Sequence, residues 1–298
     1  MGSELNLCSV GVIRELLSEF DSAPRKDFGQ NFLTNLSVPK KIAEIAGGSD
    51  VRNVIEVGPG IGCLTRELSA VFERVAAVEI DKKLIPLLGR TLEGCDNVRV
   101  TNADVMKLDI AAFAKECFGG EEYCVCANLP YYITTPVIMK FLREGGESLR
   151  SMTVMVQSEV ADRLTAREGT ADYGMITAGI AYYGHAERVM KVSAGNFYPV
   201  PKVNSAVVRI TLYEAGEEPF RPIDDGMYFS LISAAFAERR KTLVNSVSSG
   251  LSIPKPEVER VLSSLGYDVR VRGEAVSPEG FCRISDALSV LRARESQE

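Results

Sequence analysis

The chain has 298 residues, 46% of them hydrophobic, and its 40 acidic against 34 basic residues give a formal charge of −6. That length predicts one large domain with a smaller second one, and the apolar share is enough to bury a core. No apolar run reaches the ~20 residues of a membrane span, Met1 to Cys8 lacks the basic-then-apolar order of a secretion signal, and the acidic balance leaves any nucleic-acid binding to local basic patches, so the expected setting is cytoplasmic.

Ser9 to Phe20 carries Val12, Leu16, Leu17 and Phe20 at helical spacing and reads as an N-terminal arm, residues 1–23. Pro24 to Leu33 is too irregular for a plain helix or strand. It reads either as a flap over a ligand, with Arg25 and Lys26 on a phosphate backbone, or as a loop pinned by Phe28 and Phe32. Val54 to Val57 reads as a short buried strand running into Gly58-Pro59-Gly60-Ile61-Gly62 and a helix from about Cys63, a nucleotide-binding turn. A second strand, Val75 to Ile80, carries Glu79 at 21 positions after Gly58, where such folds place an acid for ribose hydroxyls. A third, Val98 to Thr101, ends at Asn102-Ala103-Asp104.

These glycines alternate and enclose a proline. A dinucleotide fingerprint spaces its third glycine differently, and no Lys-Ser or Lys-Thr follows to grip a phosphate. A ligand with adenosine and no phosphate suits the turn better, and S-adenosyl-L-methionine is such a ligand.

In Tyr123 to Ala127, Cys124 and Cys126 point to one face of a buried strand and serve as small hydrophobes. The seven cysteines form no CxxC pair and His185 is the single histidine, so neither a metal site nor a disulfide framework is expected. The strand runs into Asn128-Leu129-Pro130-Tyr131. Transfer of a methyl to adenine N6 needs the amine lone pair turned out of the ring. The Asn128 side-chain oxygen and a carbonyl of Leu129 or Pro130 could accept the two N6 hydrogens, with Tyr131 stacked on the flipped base. Pro130 fixes its own φ and holds Leu129 extended. The plain alternative is a turn after a strand with a half-buried tyrosine.

Met152 to Val156 reads as a fifth strand and Ser158 to Arg167 as a helix with Arg163 and Arg167 on one face, either solvated or on RNA. His185 reads as a surface or packing residue. Phe197 to Val203, stiffened by Pro199 and Pro201, leads into a strand from Ala206 to Tyr213, with Phe197 either a core anchor or a site residue. The composition shift at Glu214 to Pro219 marks a domain boundary. Helices follow over about Asp224–Ser249, Pro256–Leu265 and Pro278–Ala293. Arg239-Arg240-Lys241, in the first of them, is the densest basic cluster, either solvated surface or a guide for RNA phosphates.

Five blocks now stand in order: Phe28-Gly29-Gln30-Asn31-Phe32-Leu33, Glu56-Val57-Gly58-Pro59-Gly60, Asn128 to Pro136, Phe197 to Val203, and Arg239-Arg240-Lys241-Thr242. Together they resemble the small-subunit ribosomal RNA adenine dimethyltransferases of the KsgA type, from about Arg25 to beyond Asn245. The resemblance implies that Asn31, Leu33, Gly58, Glu79, Asp104 and Asn128 contact S-adenosyl-L-methionine, with Gln30, Gly60, Ile80 and Val105 beside them. It implies that Asn128, Tyr131 and Phe197 hold the target adenine, and it places small-subunit rRNA in a pre-ribosomal particle as the partner of a monomer. Asn204, where many relatives carry an acid, is expected to affect packing alone. The expected architecture is α/β: a doubly wound, Rossmann-like methyltransferase domain over 24–213 and a small helical RNA-recognition domain over 214–298. Rivals are a large-subunit rRNA methyltransferase of the Erm type, a DNA adenine methyltransferase, and an assembly or transcription factor that kept the fold without the chemistry.

Overall fold

The computed structural model describes residues 5–21, 23, 30–48 and 50–295. Two units emerge from the chain's own contacts: the chain through Ala161 with Glu187–Leu212, and Asp162–Ala186 with Tyr213–Glu298.

The first unit alternates helix and strand. Helix α1 (Val10–Glu19) and the two-residue strand β1 (Phe32–Leu33) precede α2 (Ser37–Ala46). Then come β2 (Asn53–Val57), α3 (Cys63–Val71), β3 (Arg74–Glu79), α4 (Leu84–Thr91), β4 (Val98–Asn102), α5 (Ile110–Phe118), β5 (Tyr123–Asn128), α6 (Thr134–Glu144) and β6 (Leu149–Gln157). The short α7 (Ser158–Leu164) follows, and after α8 (Met175–Tyr183) come β7 (Gly184–Val192), β8 (Phe197–Tyr198) and β9 (Ser205–Leu212). Because α7 stops at Leu164, Arg167 falls outside it and shares no helical face with Arg163.

The main sheet runs β4-β3-β2-β5-β6-β9-β7. The strands β2 to β6 pair in parallel, and β9 runs antiparallel to β6. Helices on both faces bury the parallel strands from either side, which is why β2 and β5 read as almost unbroken apolar runs. Cys124 and Cys126 lie buried in β5, and burial pushes the Cys124 thiol up to about 12. The chain leaves β2 toward β3 on one side and returns on the other as β5. The crevice at the carboxyl ends of β2 and β5 is thus the switch point where open α/β sheets bind ligands.

The expected N-terminal arm is docked. Ile13, Leu16 and Leu17 of α1 join one core cluster with Cys63 and Leu64 of α3. Arg14 Nε donates to the Tyr198 hydroxyl at 3.1 Å.

In the second unit, α8 packs with α9 (Asp225–Ala237), α10 (Leu243–Leu251), α11 (Lys255–Ser264) and α12 (Pro278–Glu295). The Tyr173 hydroxyl donates to Val276 O and the Tyr228 hydroxyl to Ala178 O, both at 2.9 Å. Such ties group Asp162–Ala186 with the C-terminal helices and not, as the sequence pattern suggests, with the rest of 24–213. The expected helix from Asp224 to Ser249 is two helices. Glu238 leaves helical geometry (φ −133°, ψ 82°), and the Thr242 hydroxyl accepts from Asn245 N to start α10 afresh.

Candidate active site

A cavity of about 260 Å³ opens at the carboxyl ends of β2, β3, β4 and β5. Gln30, Asn31, Leu33, Gly58, Gly60, Glu79, Ile80, Asp104 and Val105 line it, together with Asn128, Leu129, Pro130 and Tyr131. These positions span about a hundred residues of sequence, and parallel β-α-β winding returns each strand end to the same edge.

The floor is the glycine turn after β2. Gly60 has φ +61° and Gly62 φ +90°, a region that L side chains rarely adopt. A Cβ on Gly60 would also come within 3.4 Å of the Phe32 ring. Glu79 ties this turn to β3: Oε2 accepts from Gly60 N at 3.2 Å and Oε1 from Asp81 N at 2.8 Å. Burial raises the Glu79 carboxyl, and the backbone N–H groups of Asp81 and Gly60 partly offset that. Four lone-pair sites on a carboxylate leave capacity for sugar hydroxyls after those two bonds. At the end of β4, Asp104 Oδ1 accepts from Met106 N at 3.0 Å and caps the 3-10 turn Val105–Lys107.

The charge of the lining sets the kind of ligand. Glu56, Glu79 and Asp104 line the cavity, and no lysine, arginine or histidine appears among its described lining residues. The carboxylates of Glu79 and Asp104 in that wall disfavour a phosphate, and the wall suits a cation that also carries ribose and an adenine ring. S-adenosyl-L-methionine has those features, and the residues present fit it.

Asn128 ends β5 at the opposite wall. Its Nδ2 donates to Asn31 O at 3.2 Å, which commits the donor end of the amide and leaves Oδ1 as an acceptor. Leu129 N is held on Met155 O at 3.2 Å. Pro130 O accepts from Ile133 N at 3.2 Å and from the Thr134 hydroxyl at 3.1 Å, so both its lone pairs are engaged in starting α6. Of the two carbonyls considered from sequence, that of Leu129 is therefore the freer. The Tyr131 hydroxyl bonds with Ser205 Oγ at 3.2 Å, fixing the ring's far end to β9.

Phe197 is not brought to the cavity wall. It pairs with Leu33 across the β1–β8 ladder and is 2% exposed in the core that contains Phe32 and Leu33. Its visible task is anchoring the segment that carries Asn31. Asn204 acts nearby on local structure: Oδ1 accepts from Ala194 N at 3.0 Å, a bond that an acid would make equally well.

Arg25 and Lys26 lie outside the described residues. The basic cluster at Arg239 lies between α9 and α10 and not inside a helix. Arg239 Nη2 donates to Tyr173 O at 3.0 Å and also to Ala171 O, so this guanidinium is committed to holding the chain before α8. Lys241 pairs with Glu238 at 2.8 Å, and Arg240 is exposed. Glu56, the third acid of the cavity, is given no site role by the motifs read from the sequence. Its signal was an ionisable residue inside an otherwise uncharged buried strand.

Fold and cavity together define a Rossmann-like S-adenosylmethionine-dependent methyltransferase. Residues 22–288 match the ribosomal RNA adenine dimethylase family. The chain belongs to that family. It is 42% identical to the ribosomal RNA small subunit methyltransferase A of Geobacillus thermodenitrificans over 290 residues, 96% of this chain and 98% of that one. It is 39% identical to the protein of that name in Clostridioides difficile, over 95% of this chain and 97% of the relative. The solved 23S rRNA methyltransferase ErmE superposes with a TM-score of 0.66 at 28% identity, covering 87% of this chain and all of its own. A dimethyladenosine transferase from Plasmodium falciparum has the same fold, with a TM-score of 0.70 at 23% identity over 85% of this chain and 95% of that one.

Proposed function

We propose that this protein converts two adjacent adenosines, in a hairpin loop near the 3′ end of small-subunit (16S) rRNA, to N6,N6-dimethyladenosine. It acts as a cytoplasmic monomer on a pre-ribosomal particle, as a step of small-subunit biogenesis. The bound S-adenosyl-L-methionine supplies a methyl group made electrophilic by a sulfonium.

The observation that carries this reading is the fixed amide of Asn128. With Nδ2 donating to Asn31 O, Oδ1 is left as an acceptor for the substrate, and the Leu129 carbonyl next to it offers a second. Two acceptors for two N6 hydrogens turn the nitrogen lone pair away from the ring and toward the donor side of the cavity. Tyr131, braced by Ser205, offers a ring face to a base drawn out of its stack. Glu79 and Asp104, at the ends of β3 and β4, hold the nucleoside part of the donor, and the glycine turn lets the backbone approach it. The ammonium formed by transfer is acidic and loses its proton to water, so no side chain is assigned as a general base. Arg240 and Lys241, with Arg25 and Lys26, supply phosphate contacts.

Small-subunit particles incubated with the protein and a methyl-labelled donor, then digested and examined by mass spectrometry, should yield labelled N6,N6-dimethyladenosine. Label on large-subunit RNA alone would refute the substrate, and label on DNA alone would refute the whole reading.

A further inference from the structure

Glu56 stands in β2 between valines and isoleucine, 1% exposed, with Oε2 making no hydrogen bond. It lines the donor cavity. The ionisable groups facing it are Glu79 on β3, Cys126 on β5 and Cys63 on α3, and none of them is a base. The Thr65 hydroxyl of α3 lies toward it without completing a hydrogen bond of normal geometry. Burial, helped by the charge of Glu79, pushes the Glu56 carboxyl up to about 8. An acid this enclosed, with no cation beside it among the described residues, keeps its proton at neutral pH because ionisation without water or a partner is too costly.

We propose that Glu56 senses the charge of the methyl donor, holding its proton in the absence of a cation and releasing it to solvent when the sulfonium occupies the cavity. The inference rests on reading the cavity as the S-adenosyl-L-methionine site. Its consequence is selectivity between donor and product. S-adenosylhomocysteine has the same ribose and adenine but a neutral thioether, so it gives Glu56 no reason to ionise. After transfer the proton returns from solvent, the attraction disappears and the product is held less tightly. Glu79, whose carboxyl is also raised, faces the sugar shared by both ligands, so its effect cancels in the comparison.

Titration calorimetry on the full chain tests this, with each ligand in buffers of different ionisation enthalpy, from about pH 6 to about pH 9. S-adenosyl-L-methionine should release close to one proton at about pH 7 and S-adenosylhomocysteine clearly fewer. Donor affinity should rise with pH, by up to about tenfold per unit, until Glu56 is ionised in the free protein as well. In Glu56→Gln that rise should shrink to whatever the donor's own amine contributes, and preference for donor over product should narrow several-fold. Equal proton release by both ligands in the parent protein overturns the proposal without recourse to any variant. A pH slope unchanged in a folded Glu56→Gln overturns it too. Failure of the parent to bind either ligand overturns the cofactor reading, and the proposal with it.

Discussion

An amide has one donor end and one acceptor end, and at Asn128 the protein assigns them differently: the donor to Asn31 O, the acceptor to the cavity. Asn128→Ala removes both. Single-turnover methyl transfer, followed by rapid quench, should fall about 10²- to 10³-fold while RNA affinity stays near that of the parent. A rate near the parent's would sink the assignment. Glu79 acts on the other wall, where removing an ionised acceptor typically costs about 1.5–3 kcal/mol. Glu79→Ala should therefore weaken donor binding about tenfold or more by calorimetry. Unchanged affinity in a folded variant would mean that Glu79 serves only the Gly60 and Asp81 amides. Phe197 carries two competing expectations, core anchor and base platform, and burial at 2% exposure favours the first. Phe197→Ala should cost about 3–5 kcal/mol of stability, as large core truncations do. Phe197→Leu, which keeps much of the packing and removes the aromatic face, separates the two. Near-parent melting temperature with full methylation assigns an anchor, and near-parent melting temperature with lost methylation assigns a platform.

At the scale of elements, the break between α9 and α10 divides the labour within one basic run. All three are exposed, but Arg239 donates to the carbonyls of Ala171 and Tyr173, whereas Lys241 pairs with the neighbouring Glu238. Charge reversal should then have two separate outcomes. Arg240→Glu with Lys241→Glu should flatten the salt dependence of RNA binding, because each lost phosphate contact removes about 0.7–0.9 from the log–log slope. Its melting temperature should hardly move, since exposed ion pairs such as Lys241–Glu238 contribute little. Arg239→Glu should lower the melting temperature, because two carbonyls lose their donor. Calorimetric melting of the two proteins side by side checks this, and equal stability would mean that the Arg239 hydrogen bonds contribute nothing to the fold.

For the molecule as a whole, every described residue lining the cavity lies between Gln30 and Ile133, within the first compact unit. Donor binding should accordingly need no RNA. S-adenosyl-L-methionine alone, at about 100 times its dissociation constant, should stabilise the native state by about 2.7 kcal/mol and raise the melting temperature by several degrees. A shift that appears only when RNA is added would mean that the cavity is completed by the substrate. The net charge of −6 belongs to the same scale: the protein's overall field repels RNA, so recognition must come from local basic groups near the sites they serve.

Winding and most of the pocket are legible in the amino-acid order. Parallel strands buried on both faces write themselves as apolar runs, turns that need positive φ write themselves as glycine, and winding brings every strand end to one edge. Gly58, Glu79, Asp104 and Asn128 could therefore be placed together before any coordinates. Strand boundaries shifted by a residue or two, as with β3, which ends at Glu79 and not Ile80. Other features depend on partners distant in the chain, which local pattern does not encode. The Asn31 carbonyl, 97 residues away, orients the Asn128 amide. Contacts across the second unit draw Asp162–Ala186 toward the C-terminal helices, and the carbonyls of Ala171 and Tyr173 make a tie of the exposed Arg239. Pairing of β8 with β1 buries Phe197. Glu56 is the sharpest case: its residue type is visible in the sequence, but its enclosure and its unbonded Oε2 arise from the packing of β3, β5 and α3 around it.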